Sequence, residues 1–329
     1  MKILIVRFSS IGDVVLTTPV VRCLKQQLNG VTIHYITKKA FLPVLVNNPN
    51  IDRLITIEKS VAEVLEELKS EAYDYVIDLH HNVRTLRLKR ALKTRSFAFP
   101  KENIRKFLLT QFKLDRMPKA HVVDRYFEAV KSLGVVNDGK GCDVLLTAND
   151  TVSLTDYQLT AKGFVAVAMG AQFATKQLPI TLLSNCLTEI EQPIVLLGGP
   201  MDSDRALALM ETLPNKARLI NLCGKLSLLQ STSMTAQAKL LITGDTGLMH
   251  LASAVQTPVV SIWGNTVPAF GMYPYFPGDR SQFSIHEVAD LSCRPCSKIG
   301  YQSCPKKHFK CMNDQDVVAI QKDVKERMN

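Results

Sequence analysis

Residues 2–28, KILIVRFSSIGDVVLTTPVVRCLKQQL, decide the fold. Lys2–Phe8 is an almost wholly apolar run of strand length. Ser9–Asp13 is a turn of small residues, and an apolar period of helical spacing runs from about Val14 to Leu28. A strand apolar on both faces that hands over to a helix opens a parallel sheet covered on both sides. The pattern continues outward. Strands at Val31–Thr37, Arg53–Ile57 and Tyr75–Leu79 alternate with helices near Ala40–Asn47 and through Val61–Lys69. It pauses at the polar stretch Thr147–Thr155 and restarts with strands Phe164–Met169, Ile194–Leu197, Leu240–Thr243 and Val259–Trp263, each followed by a glycine-bearing loop. This predicts an α/β chain of two Rossmann-like, doubly wound domains facing a cleft, with the functional loops at the carboxyl ends of the strands. A length of 329 residues, too great for one ordinary core, agrees.

With 46% hydrophobic and 21% charged residues, the composition is that of a soluble globular protein and excludes a disordered one. No apolar run reaches the roughly 18–20 residues of a membrane span. The apolar start runs into a Gly-Asp turn without the features of a signal peptide. A cytoplasmic location is expected, with peripheral contact at the cytoplasmic face of the inner membrane left open. The net charge of +10 is concentrated: between Arg84 and Lys106, nine cations (Arg84, Arg87, Lys89, Arg90, Lys93, Arg95, Lys101, Arg105, Lys106) face one acid, Glu102. That run reads either as a solvated helix face or as a surface for phosphates on an acceptor or membrane. No nucleic-acid partner is expected, because the run has few aromatics for stacking and no binding module.

Two strand-to-helix turns carry chemistry. In Ser9-Ser10-Ile11-Gly12-Asp13, Gly12 permits a tight turn, and Asp13 lands at a helix start. Ser10 or Asp13 there caps the helix, or Asp13 takes a proton from a substrate hydroxyl as a general base. In Gly244-Asp245-Thr246-Gly247-Leu248-Met249-His250, small residues leave backbone amides to meet an anion at the start of a helix running to Val255. The plainer reading makes Asp245 an N-cap and His250 a packed histidine. The loop Ala171–Pro179, AQFATKQLP, adds Lys176 just before a proline-started helix, within reach of a diphosphate. Walker A and GxGxxG patterns are absent from the sequence.

Eight cysteines fall into two groups. Cys23, Cys142, Cys186 and Cys223 are scattered and read as buried small hydrophobes. Cys293, Cys296, Cys304 and Cys311 form C-x2-C-x7-C-x6-C in a lysine-rich loop. In a reducing compartment they read as a structural zinc site, with His308 as an alternative ligand, or as free thiols.

These segments together resemble glycosyltransferase family 9, the heptosyltransferases of lipopolysaccharide core synthesis, over nearly the whole chain. The resemblance rests on RFSSIGDVVLTTPVVRCLK, GAQFATKQLP, GGPMDSDRA and GDTGLMHLASAVQTPVVSIWGNTVP. It implies a GT-B architecture: residues 1–155 for the acceptor, residues 156–313 for the nucleotide sugar, and residues 314–329 as a closing helix returning towards the first domain. It implies Asp13 as catalytic base. Lys176 and the Thr246-Gly247 turn would hold the donor diphosphate, with Asp245 and His250 beside them, Asp202 on the ribose and Gly224-Lys225-Leu226 at the adenine. Ser10, Gly12, Asn82, Arg84, His121 and Arg125 fall on the acceptor side. One departure is Leu178, where the family commonly has tryptophan. The implied reaction is an inverting transfer of heptose from an ADP-sugar donor to a lipid-linked acidic saccharide, without a catalytic cofactor. A nucleotide-sugar epimerase and a non-catalytic nucleotide-sugar-binding protein are the alternatives on this architecture.

Overall fold

The computed structural model describes residues 1–328, which form two compact units. One comprises 1–102 with 120–145, and the other 103–119 with 146–329. The polar stretch that marks the boundary in the sequence lies just inside the second unit. There Val152 is buried, its amide bonded to Ser233 Oγ at 3.3 Å and its carbonyl to Gln237 Nε2 at 3.1 Å.

In the first unit, strands β1 (Lys2–Val6), β2 (Thr32–Lys38), β3 (Arg53–Ile57), β4 (Tyr75–Asp78) and β5 (Arg95–Ala98) form a parallel sheet in the order β3-β2-β1-β4-β5. The chain winds one way from β1 to β3 and the other way from β4 to β5. The crevice where the winding reverses therefore lies between β1 and β4, at their carboxyl ends. Alternate residues of β1 feed opposite faces, and Leu4 and Val6 join Ile36, Ile55, Val76 and Leu88 in one core.

The second unit holds β6 (Val165–Ala168), β7 (Ile194–Leu197), β8 (Leu219–Asn221), β9 (Leu240–Thr243), β10 (Val259–Trp263) and β11 (Phe283–Glu287), all parallel, in the order β11-β10-β9-β6-β7-β8. Its reversal point lies between β6 and β9. Val165 and Val167 pack into one core, Ala166 and Ala168 into the other, so β6 is buried on both faces. The closing helix Val317–Met328 belongs to this unit, where the sequence reading sends it towards the first domain. Ile320 and Val324 sit in the core with Leu183 and Ile262. His286 on β11 bonds Asp323 at 2.8 Å.

The first predicted helix is two, Ile11–Val15 and Thr18–Gln27. The Thr17 hydroxyl donates to the Val14 carbonyl and shares a 2.8 Å hydrogen bond with Tyr35, and Pro19 starts the second helix. Lys89, read from sequence as part of an anion-binding face, has another role. Its ammonium lies 2.9 Å from Oδ2 of Asp78, whose side chain is fully buried at the end of β4. The other oxygen, Oδ1, accepts the amides of His80 and His81 at 3.1 and 2.7 Å.

Removing Lys89 leaves a buried carboxylate uncompensated. Lys89→Met is expected to lower unfolding free energy by about 3–5 kcal/mol in urea titration. The double variant Lys89→Met/Asp78→Asn should recover much of that loss. A single variant as stable as the wild type would show that the pair does not hold the turn.

Candidate functional site

The first cluster forms where β1 and β4 diverge. Arg7, the residue after β1, is buried, and a buried guanidinium needs every donor answered. Its Nε donates to the Ser9 carbonyl at 2.7 Å, Nη1 to the Leu79 carbonyl at 2.5 Å, and Nη2 pairs with Asp13 Oδ1 at 2.5 Å. The guanidinium also lies 6.0 Å from the Tyr126 ring centre. Burial works against its charge. Asp13, with Tyr126 and Tyr35 behind it, outweighs burial, and the proton is held more tightly than usual. Asp13 Oδ2 accepts the Ser10 hydroxyl at 2.8 Å and the Ser10 amide at 3.2 Å. The capping contact is present, and it leaves the carboxylate room for a further partner. Each carboxylate oxygen has two lone pairs, and the side chain remains 22% exposed. A charged, oriented and accessible carboxylate is equipped to receive a hydroxyl proton.

Next to it stands His80, whose ring packs on Phe8 with centroids 5.1 Å apart. Burial, with Arg7 and Lys101 close by, pushes its pKa down to about 3, so the imidazole is neutral at ordinary pH. The Lys101 ammonium donates to the carbonyls of His80 and His81.

The remaining first-unit residues have distinct placements. Gly12 is buried within the first helical turn. Asn82 caps the helix Val83–Leu92, accepting the Thr85 amide at 3.0 Å. Arg84 is exposed at the start of that helix, 5.9 Å from the Phe8 ring centre. His121 is buried and caps the helix Val122–Phe127 through Nδ1, and Arg125 is buried on that helix. Tyr126 links this helix to Arg7. The sequence reading missed Arg7, Tyr126 and His80. For Arg7 the signal was present: a charge at the end of an apolar strand must be paired.

The second cluster forms where β6 and β9 diverge. Gly244 follows β9, and a Cβ there would stand 2.6 Å from the Lys176 carbonyl oxygen. Only glycine lets the β6 loop approach so closely. The approach sets the Lys176 ammonium 2.6 Å from Asp245 Oδ2, which also accepts the Thr266 hydroxyl at 2.8 Å. Thr266 is the residue missed here. Asp245 is an ion-pair partner, and the N-cap of the helix Gly247–Ala254 is Thr246. The Thr246 hydroxyl is 3.0 Å from that of Thr243 and does not cap the helix amides. His250 is buried in the same helix.

Asp202 caps its own turn, accepting the Gly199 amide at 2.8 Å. Its carboxylate fills the space beside Gly170 and Gly198, where a Cβ would lie within 3 Å of it. Gly224, at φ +74°, bonds the Gly198 carbonyl and lies so close to Pro200 that a Cβ would meet its Cα at 2.8 Å. Lys225 is exposed beside it, and Leu226 packs partly against the core. Leu178 is buried, its carbonyl bonded to Arg205.

The expected zinc site is not assembled. Among the described residues no group of three or more His, Cys, Asp or Glu side chains is placed to hold a metal ion. Cys293 Sγ lies 3.8 Å from His308 Nε2, and Cys296 Sγ donates to the Cys293 carbonyl. Cys311 is packed in the hydrophobic core, where burial pushes its thiol up to about 12. Burial, with Cys293 nearby, raises Cys296 to about 11. These two sulfurs are protonated thiols at neutral pH.

Residues 61–302 match the sequence profile of glycosyltransferase family 9 (heptosyltransferase). The chain belongs to that family. It is 27% identical over 322 residues to lipopolysaccharide heptosyltransferase 1 of Pseudomonas aeruginosa, covering 91% of this chain and 86% of that protein. A glycosyltransferase of family 9 from Veillonella parvula superposes with a TM-score of 0.72 at 25% identity, covering 88% of this chain and 86% of that one. An Escherichia coli heptosyltransferase solved with ADP gives 0.70 at 23% identity, covering 99% of this chain and 100% of that one. The fold is of the GT-B type, and the family member described here is a glycosyltransferase.

The neutral His80 makes stability pH-dependent in a defined window. Above about pH 7.5 both folded and unfolded imidazoles are neutral, and its contribution is flat. As pH falls towards 3 the unfolded chain takes up a proton that the fold refuses, at up to ~1.4 kcal/mol per pH unit. Between pH 6.5 and 5 the wild type should lose about 1.6 kcal/mol more than His80→Gln in urea titration. Parallel curves would remove His80 as the cause.

Proposed function

We propose that this family 9 enzyme transfers a heptose, with inversion, from ADP-heptose to a lipopolysaccharide inner-core acceptor. The observation that carries the reading is the pair of charged clusters at the two reversal points. One is an oriented carboxylate on the first sheet, and the other a lysine beside an uncapped helix start on the second. ADP in the E. coli relative and the name of the P. aeruginosa relative support the donor and the acceptor class.

In this mechanism Asp13 accepts the proton of the acceptor hydroxyl as that oxygen attacks the anomeric carbon. The bond to the diphosphate breaks in the same displacement, and the configuration inverts. The departing diphosphate gains negative charge. Lys176 has three donors and uses one on Asp245, leaving others for phosphate oxygens. The amides of Gly247 and the residues after it add the helix dipole. A fixed cation and oriented amides supply the charge stabilisation for which other transferases use a metal, so no catalytic cofactor is invoked. Thr246 and Gly247 shape that turn, His250 supports it from within the helix, and Asp202 with Gly224-Lys225-Leu226 frames the nucleoside. Ser10 holds Asp13. Gly12, Asn82 and Arg84, with His121 and Arg125 behind them, belong to the acceptor side, and exposed Arg84 and Arg87 suit acidic sugars and phosphates. The acceptor is lipid-linked, which places the enzyme at the cytoplasmic surface of the inner membrane. Among the described residues no helix is long and apolar enough to cross a membrane.

The decisive experiment is transfer of labelled heptose from ADP-heptose to a purified inner-core acceptor. Asp13→Ala is expected to abolish turnover while ADP affinity by calorimetry stays within about twofold, a change under ~0.5 kcal/mol. Near-normal turnover would remove Asp13 as the base.

Lys176→Ala is expected to weaken ADP binding by about 10- to 100-fold, the value of a charge-assisted contact to phosphate, and to slow transfer. Unchanged affinity and rate would assign Lys176 to the ion pair alone.

A further inference from the structure

The segment Asn103–Lys119 breaks the usual rule for a surface helix. Asn103–Phe107 is α-helical and Leu108–Phe112 continues as a wider turn. Its outward stripe is apolar: Ile104 is 77% exposed, Phe107 56% and Phe112 61%, with Leu114 at 53% just beyond. The Phe107 and Phe112 rings meet edge to face at 5.9 Å. Spacings of three and eight residues from Ile104 put these side chains on one face, where a soluble helix carries charge. The inward side is anchored by Leu109, which is buried, and by the Lys113 ammonium, which donates to the Pro295 carbonyl at 2.8 Å. The segment thus belongs to the second unit although the chain on both sides of it belongs to the first.

Cations surround the apolar stripe. Arg105, Arg116 and Lys119 are exposed, and Lys106 is half-buried, against one acid, Asp115, while the Lys113 ammonium is held inward on carbonyls. Apolar side chains more than half exposed on a single helical stretch, ringed by cations, are the two components of interfacial membrane binding: rings for the acyl boundary and charges for anionic headgroups. We propose that Asn103–Lys119 is a membrane-docking element that seats the enzyme on an anionic lipid surface. The proposal rests on the lipid-linked acceptor reading for its purpose and on this segment alone for its geometry. A protein partner would need a groove matched to these side chains, whereas a bilayer interface accepts them without one. The positive charge selects the anionic surface.

The test is co-sedimentation of the full-length protein with vesicles of phosphatidylcholine alone or with 30 mol% phosphatidylglycerol, the fraction being about that of a strongly anionic leaflet. Binding is expected to the anionic vesicles and to weaken as salt rises. Phe107→Ser/Phe112→Ser should lower the apparent affinity about tenfold or more. Arg105→Glu/Arg116→Glu should lower it about fivefold or more per cation and remove the preference for phosphatidylglycerol. ADP affinity and transfer to a delipidated, soluble acceptor should be unchanged in both variants, so loss of transfer in the wild type would count against the proposed reaction and leave docking standing. Failure of the wild type to sediment with anionic vesicles overturns the proposal. So does equal binding by the serine variant, or self-association in place of lipid binding that the serine variant abolishes. The salt and lipid dependence of the wild type decides the matter even where a variant is unstable.

Discussion

The first unit depends on one buried cation. Arg7 enters an apolar environment at the end of β1, where a guanidinium without partners would cost several kcal/mol. Its three bonded nitrogens fix the turn after β1 through Ser9, the end of β4 through Leu79, and the carboxylate of Asp13. Because β1 and β4 flank the point where the sheet reverses its winding, those contacts close the crevice from below and set Asp13 at its edge. The same charge, with burial, keeps His80 neutral. The electrostatics of the whole turn follow from satisfying a single side chain.

The second unit meets the same topological demand by a different device. There the constraint is the missing side chain of Gly244, which brings the β6 loop against the end of β9 and places Lys176 on Asp245. The first unit orients an anion with a buried cation, and the second orients a part-buried cation with an anion. Both arrangements charge the carboxyl ends of a parallel sheet where helix starts already favour anions. The different signs match the tasks proposed for them, accepting a proton and holding a leaving diphosphate.

The fold was legible wherever burial was complete. β1, β7, β9 and β10 are apolar runs, which a doubly covered sheet writes into a sequence, and the edge strand β3 was legible from the alternating apolar residues of RLITI. β5, β8 and β11 were missed because they lie at or next to sheet edges and are partly exposed, as in RSFA and FSIHE, so they carry no such run. Asp13, Asp245 and Thr246 were legible because each sits in a small-residue turn between a strand and a helix, and Lys176 because it is the one cation in the loop before a proline-started helix. Their partners were less so. Tyr126 arrives from a helix more than a hundred residues away, and Thr266 comes from the loop after β10. The cysteine spacing misled for a physical reason: spacing cannot tell a ligand from a core residue, and Cys311 is a core residue beside Met312.

The basic run between Arg84 and Lys106 shows why a charge count on a sequence overstates a binding surface. Lys89 neutralises Asp78, and Asp78 in turn holds the amides of His80 and His81. Lys101 answers the carbonyls of the same two histidines from the other side. Two of the nine cations therefore build the turn beside Asp13. Arg87, Arg90, Lys93 and Arg95 are exposed on the first unit, and Arg105 on the second. A cation that answers a buried carboxylate contributes little field outside the protein, because the pair is close to neutral at a distance. The charge left for a ligand is therefore smaller than the sequence suggests, and it divides between two units. Arg84 lies between the two roles: its guanidinium stacks near Phe8, which packs on His80, while its helix start faces solvent. It is the point at which the charge that builds the turn gives way to charge exposed to solvent.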